Sequence, residues 1–296
     1  MTTATTTKTK AKPALKASGG KTRLLKELIP RLPETFNDYH EICLGSGALF
    51  FALYQKLEAR GAAAYLSDLN LNLITTYKEI SKMSDEFRGK LESFAEHHKA
   101  DPVGYFNEIR AYDRDSHWSD ASDATIASWY LYLNKVVHSG MHRVNSDGFF
   151  NVPLAKDGPK GNKYPRKEFK WQPENLELVS QALRGKVYLE SVSCFDALEN
   201  AKPGDFVFID PPYADKAGDC FVEYLASGFT FDDQRLLRDA YAAAAKRGVW
   251  LMMSNHADCA ELYSDFNVEE VDGLRGMGYK GKAGMVTEIF VRNYGY

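Results

Sequence analysis

The sequence predicts an α/β protein: a mixed, mostly parallel sheet with an inserted, mainly helical domain that ends in a β-hairpin. Three observations carry that reading. Strand-like and helical runs alternate from Tyr39 to residue 77 and again from Lys186 onward, the order that builds a parallel sheet with helices on its faces. Between them, residues 78–133 show only charged helical patterns. Two apolar strands end in an acid, at Asp68 and Asp210, and the carboxyl edge of such a sheet is where ligands bind. The 296 residues, 44% of them hydrophobic, suit one sheet domain with one insert, and that share excludes a disordered or fibrous polymer.

In chain order, residues 1–14 are Thr/Lys/Ala-rich and of low complexity, and are expected to form a disordered basic tail. The main domain is expected over 15–77 and 165–296, and the insert over 78–164. Leu24, Leu25, Leu28 and Ile29 lie at helical spacing after Gly19-Gly20, and Pro30 and Pro33 end that helix. Residues 39–44 read as a strand, Gly45-Ser46-Gly47 as a turn, and an apolar helix begins near Ala48. A second strand ends at Asp68, followed by a helix over 71–83. In the insert, Asn145-Ser146-Asp147-Gly148 sits between short β-prone pieces and marks a hairpin. Strands are then expected in 186–191, 205–210, 249–256, 266–274 and 287–295, with a helix over 232–248.

The net charge of −3 hides an uneven distribution. Residues 1–31 carry eight Lys/Arg against one acid, and residues 134–170 eight against three, so the segments hold +7 and +5 and the remainder −15. Two basic segments on an acidic body suit a phosphate-bearing partner if the fold joins them; a solvated tail and loop is the plainer alternative. Cys43, Cys194, Cys220 and Cys259 form no CxxC pair, which suggests reduced thiols and neither a zinc site nor a disulfide framework. No apolar run is long enough for a membrane span, and the N-terminus lacks the apolar core of a signal peptide. The chain reads as soluble and intracellular.

The chemistry concentrates in FVFIDPPY, Phe206 to Tyr213. Four apolar residues place Asp210 at a strand end, and Pro211 and Pro212 forbid strand or helix beyond it. The corner offers a carboxylate, a rigid carbonyl without local donors, and an aromatic face. That set suits the exocyclic amino group of a planar base: Asp210 and the Pro211 carbonyl accept its two N–H bonds while Tyr213 stacks on the ring. A strand-terminating turn is the structural alternative. The Gly45-Ser46-Gly47 turn lacks the third glycine of a dinucleotide fingerprint, since Phe50 stands there; Asp68 strengthens it as an acceptor for ribose hydroxyls, or serves simply as a helix cap.

These residues resemble the Dam-type DNA adenine methyltransferases (D12 class, alpha group). The resemblance rests on ASGGK (17–21), EICLGSGALF (41–50), YLSDLN (65–70), HRVNSDGFFNVP (142–153) and DPPY (210–213), in that order, and spans about residues 15–296. Ser254-Asn255-His256 after a strand and the closing strand 287–294 extend it. It implies a Rossmann-like class I S-adenosylmethionine-dependent methyltransferase fold, with 78–164 as the target-recognition domain. The implied reaction moves a methyl group from S-adenosylmethionine to N6 of an adenine flipped out of double-stranded DNA, at GATC or a relaxed site. By resemblance, Ala17, Ser18, Gly19 and Gly20 form the glycine motif at the cofactor, and Lys21 meets its methionine carboxylate. Leu44, Gly45, Ser46 and Gly47 line its pocket, Asp68 takes the ribose, and Phe195 and Asp196 frame its adenine. Asp210, Pro211, Pro212 and Tyr213 hold the target base, Asp210 also bordering the cofactor, and Lys16, Ser139, Met141, Arg143, Asn145 and Pro153 face DNA. The resemblance implies no metal, no membrane, at most a weak dimer, and a cytoplasmic setting in a bacterial or phage-infected cell.

Three departures bear on the site that is read. Ala17-Ser18 stands where the family has Trp-Ala, Leu44 where it has an aromatic or valine, and Val137 to His142 where GATC readers carry Tyr-Asn-Gly-Leu-Cys. Among rivals, transfer to cytosine N4 needs the same acceptors but usually has Ser at the position of Asp210. A non-catalytic DNA-binding relative would carry a damaged motif, and a nicotinamide dehydrogenase would leave the Asp-Pro-Pro-Tyr corner unexplained.

Overall fold

The computed structural model of the chain describes residues 10–17, 19–158, 164–213, 229–271 and 287–295. Its sheet has the strands β1 (Tyr39–Ile42), β2 (Ala64–Ser67), β5 (Val187–Glu190), β6 (Phe206–Ile209), β7 (Trp250–His256), β8 (Asn267–Val271) and β9 (Glu288–Arg292); β3 (Lys156–Asp157) and β4 (Tyr164–Pro165) pair separately. The spatial order is β5-β2-β1-β6-β7-β9-β8. The first five strands run parallel, and β9 runs against both β7 and β8. Each strand expected from the sequence is present, residues 272–274 of the one expected over 266–274 lying outside the described residues, and the sheet is mixed and mostly parallel.

The helices are α1 (Leu25–Leu28), α2 (Ala48–Arg60), α3 (Leu71–Lys82), α4 (Asp85–Ala100), α5 (Pro102–Arg110), α6 (Asp123–Val136), α7 (Pro173–Ala182), α8 (Cys194–Asn200) and α9 (Phe231–Lys246). β1 and β6 are buried on both faces, which explains the unbroken apolar run of β6; β1 buries His40 and Glu41 as well. On one face Phe206 and Phe208 pack with Leu49, Tyr77 and the insert's Leu131 and Leu133 in one continuous core. On the other, Ile42, Val207 and Ile209 pack with Leu198, Leu237 and Tyr241. The helical insert thus shares the core of the sheet rather than standing apart.

Four expectations are adjusted. The tail expected over 1–14 is ordered from residue 10: Ala11 and Ala14 are buried, and Lys12 and Asn175 exchange two hydrogen bonds of 3.0 Å; residues 1–9 lie outside the described residues. The helix after Gly20 is broken into 3-10 turns at Lys21–Arg23 and Ile29–Arg31 around the single turn of α1, because Pro30 cannot continue an α-helical ladder. The hairpin is held by isolated bridges, Val144 to Phe150 and Val137 to Leu154, not by regular strands. Its tip closes through Asn145, whose side-chain oxygen accepts from the Asp147 and Phe149 amides.

The basic segments are also partly consumed inside the protein. Lys21 and Lys135 are buried, Arg31 pairs with Glu27, and Arg166 pairs with Asp157. Burial, with Lys16 nearby, lowers the Lys135 ammonium to about 8. Local charge along the sequence therefore overstates what those segments show to solvent.

Candidate active site

The carboxyl ends of β1, β2 and β6 meet at one edge, and the chain turns sharply there because three residues adopt left-handed backbone: Cys43 at φ 60°, Gly45 at 50° and Gly47 at 65°. Glycine takes this region freely; Cys43 does so under strain. The Gly45 amide donates to Asp68 Oδ2 at 2.9 Å, and the Asn70 amide donates to Oδ1 at 2.9 Å. Burial raises the Asp68 pKa, and these two amides oppose the rise. Each oxygen keeps a lone pair for a further donor. Asn70, not Asp68, caps α3, by accepting from the Leu73 amide.

Beneath this loop, Glu41 Oε2 accepts from the Tyr39 hydroxyl and the Phe50 amide, both at 2.7 Å. Burial pushes its carboxyl up to about 7. Glu41 was missed as a site residue, although an acid inside an apolar strand is itself a signal. The Cys43 and Cys194 thiols, remote in sequence, share a hydrogen bond that ties the end of β1 to the start of α8. Phe195 is half-buried there, while Asp196 accepts from the Ser193 hydroxyl at 2.7 Å in the first turn of α8.

Lys21, 5% exposed, organises the centre. Its Nζ lies 2.8 Å from Asp210 Oδ1, 2.8 Å from the Tyr213 hydroxyl, 3.2 Å from the Gly19 carbonyl and 3.6 Å from Glu288 Oε2. Burial alone would lower its pKa, but Asp210, Tyr213 and Glu288 reverse the sign and the net shift is upward. Ser254 on β7 donates to the same Asp210 Oδ1 at 2.8 Å. Asp210 Oδ2 has no hydrogen bond among the described residues. The corner was expected to keep its carbonyls free, but Gln234 Nε2 donates to the Pro212 carbonyl at 3.2 Å, and Gln234 is held in turn by Asn255 at 3.0 Å. Among the described residues, Asp210 Oδ2 and the Pro211 carbonyl remain as open acceptors of the corner. Ser254, Gln234 and Glu288 had no role assigned from sequence, because Ser254 and Glu288 reach the corner only across strands and Gln234 only from α9.

Lys16, Ala17, Gly20, Thr22, Ser46 and Ser139 line one cleft of about 340 Å³ beside this edge. Buried Asn134 of α6 closes it: its side chain pairs with the Lys16 amide at 2.9 Å and the Lys16 carbonyl at 2.8 Å, and donates to the Gly140 carbonyl at 3.3 Å. A Cβ on Gly140 would sit 2.7 Å from the Lys16 carbonyl, so only glycine permits that approach. Lys16 Nζ donates to the Lys135 carbonyl at 2.9 Å, Ser139 is exposed at φ 53°, Met141 packs against the core, and Pro153 is exposed. Arg143 Nε donates to Asn151 at 2.7 Å. Ser18 lies outside the described residues.

Comparison with known proteins bears on this arrangement. The family model of the D12 class N6 adenine-specific DNA methyltransferases matches residues 18–277. The chain belongs to that family. It is 33% identical over 289 residues to a type II methyltransferase, M1.LlaDCHI, of Lactococcus lactis subsp. cremoris, covering 96% of each chain. It is 29% identical to a type II methyltransferase, M.MjaIII, of Methanocaldococcus jannaschii over 96% of this chain and 99% of that one. A DNA adenine methylase of Vibrio cholerae is 29% identical over 82% of this chain and 80% of its own. The D12 enzyme described here is thus an adenine-specific DNA methyltransferase on a Rossmann-like methyltransferase fold. No helix among the described residues is long and apolar enough to cross a membrane.

Family and fold imply S-adenosylmethionine, and the residues fit it. Gly20 and Ser46 line the cleft, with Gly45 and Gly47 on either side of Ser46; a Cβ on Gly20 would lie 3.1 Å from the Ala17 carbonyl and 3.4 Å from Ser46 Oγ. Asp68, held by the Gly45 and Asn70 amides at the same loop, keeps spare acceptor capacity for hydroxyl donors.

The Ser254 contact leads to a prediction. Ser254→Ala removes one of two donors that fix Asp210, and single-turnover methyl transfer should slow about tenfold with cofactor affinity unchanged. An unchanged rate would remove Ser254 from the site.

Proposed function

We propose that the Asp-Pro-Pro-Tyr corner is the amino-group acceptor of a methyltransferase acting on an adenine flipped from duplex DNA. One observation carries the reading: Lys21 and Ser254 both occupy Asp210 Oδ1, which leaves Oδ2 and the Pro211 carbonyl to accept the two N–H groups of adenine N6. Two acceptors draw the nitrogen lone pair out of ring conjugation and aim it in line with the methyl donor. The Tyr213 ring, its hydroxyl anchored by Lys21, offers the stacking face. S-adenosylmethionine bound along Gly20, Gly45 and Asp68 would supply an electrophilic methyl group, so the protein needs neither a nucleophile nor a metal.

On the DNA side, the Asn134 clasp joins the segment carrying Lys16 to the loop carrying Ser139 and Met141. Duplex contacts fall to Lys16, Ser139, Met141, Arg143, Asn145 and Pro153; the Asn145 oxygen is committed to the turn, so its role toward DNA is to shape the hairpin that presents Arg143. The departures at 137–142 favour a short site other than GATC, or a relaxed one. The working form is a soluble monomer or weak dimer acting on double-stranded DNA in the cytoplasm.

The test is to methylate a random duplex library, then identify the modified base by nucleoside mass analysis and its flanks by sequencing. N6-methyladenine within a short fixed or degenerate context is expected. N4-methylcytosine, or methylation of single strands alone, would overturn the proposal.

A further inference from the structure

Glu288 lies in the closing strand 287–294, to which the sequence gives no part in the site, and the sheet delivers it there by an exception in strand direction. In the parallel strands only the last residues reach the ligand edge. Because β9 is reversed, its first residue arrives there instead, opposite His256 in the β7 register. β7 lies between β6 and β9, so Asp210 and Glu288 approach from two strands apart with Lys21 Nζ between them, at 2.8 and 3.6 Å.

A second carboxylate largely withdrawn from solvent beside Asp210 carries a desolvation cost. Glu288 is 16% exposed, and its Oε2 is buried with no hydrogen bond among the described residues. Its carboxyl also shares a hydrogen bond with Tyr213. An ammonium has three donors, and here they go to Asp210 Oδ1, the Tyr213 hydroxyl and the Gly19 carbonyl. The Glu288 carboxylate, 3.6 Å from the same ammonium and hydrogen-bonded to Tyr213, braces that arrangement, in which Lys21 touches Oδ1 alone.

Resting on the function proposed above, we propose that Glu288 is a positioning residue for methyl transfer. It anchors the Lys21 ammonium and the Tyr213 hydroxyl from the β9 side, and thereby keeps Asp210 Oδ2 open to the base.

The test uses the full-length enzyme with duplex DNA and compares Glu288→Gln and Glu288→Asp in steady state. Glu288→Gln should lower kcat about tenfold while KM for the cofactor does not rise, and Glu288→Asp, which restores the anion, should recover most of kcat. A wild-type kcat in Glu288→Gln would overturn the proposal. So would a loss seen only in KM or melting temperature, or a loss that Glu288→Asp fails to relieve. Failure of the acceptor reading itself would look different: Asp210→Ala would keep transferring methyl groups, whatever Glu288→Gln did.

Discussion

Lys21→Met should cost the protein both stability and methyl transfer. The substitution keeps the stem but leaves Asp210 and Glu288 facing each other without their shared cation, 2.8 and 3.6 Å from where it stood. Breaking one partner from a buried pair costs about 3–5 kcal/mol; Asp210 is 24% exposed, which favours the lower end, about 3. The cost depends on pH in a defined direction. Burial already raises the Glu288 pKa, with Lys21 opposing and Asp210 adding to it, so removing Lys21 raises it further. A carboxyl whose folded pKa lies above its unfolded value, about 4.3 for Glu, binds more protons folded than unfolded, and that stability is lost as pH rises through the folded pKa. The deficit of Lys21→Met against the wild type should therefore widen from pH 5 to pH 8, as read by urea unfolding. An equal deficit at both pH values would mean that the two carboxylates do not sense each other.

What the sequence revealed is what is encoded locally. A strand ending in Asp-Pro-Pro can do little but stop, so Asp210 was placeable at the sheet edge from four apolar neighbours and two rings. Gly45 and Gly47 announced a turn because left-handed backbone favours glycine; Cys43 adopts the same conformation and announced nothing. The hairpin was legible at Asn145-Ser146-Asp147-Gly148, where the turn chemistry lies, but not in the bridges that replace its strands.

The hidden part is relational. Ser254 and Glu288 reach Asp210 only through the β6-β7-β9 neighbourhood and the reversal of β9, and Gln234 reaches Pro212 only because α9 packs against the corner. Charge runs misled for the same reason: Lys21 and Lys135 count as basic residues in the sequence, yet both are folded inward. Asn134, a polar residue in an apolar helix, clasps the Lys16 segment to the loop at Gly140, a link no local pattern announces.

The central claim is that Asp210 accepts the amino group of the target base through the oxygen that Lys21 and Ser254 leave open. The most direct measurement is single-turnover methyl transfer by Asp210→Ala, with cofactor affinity determined on the same preparation. The variant loses an acceptor that matters chiefly while the nitrogen attacks, so the rate should fall at least a thousandfold, on the order of 4 kcal/mol or more in the barrier. Cofactor affinity should stay within about tenfold, because Asp68 and the glycine turn remain. N6-methyladenine formed by Asp210→Ala at a rate near that of the wild type would contradict the account.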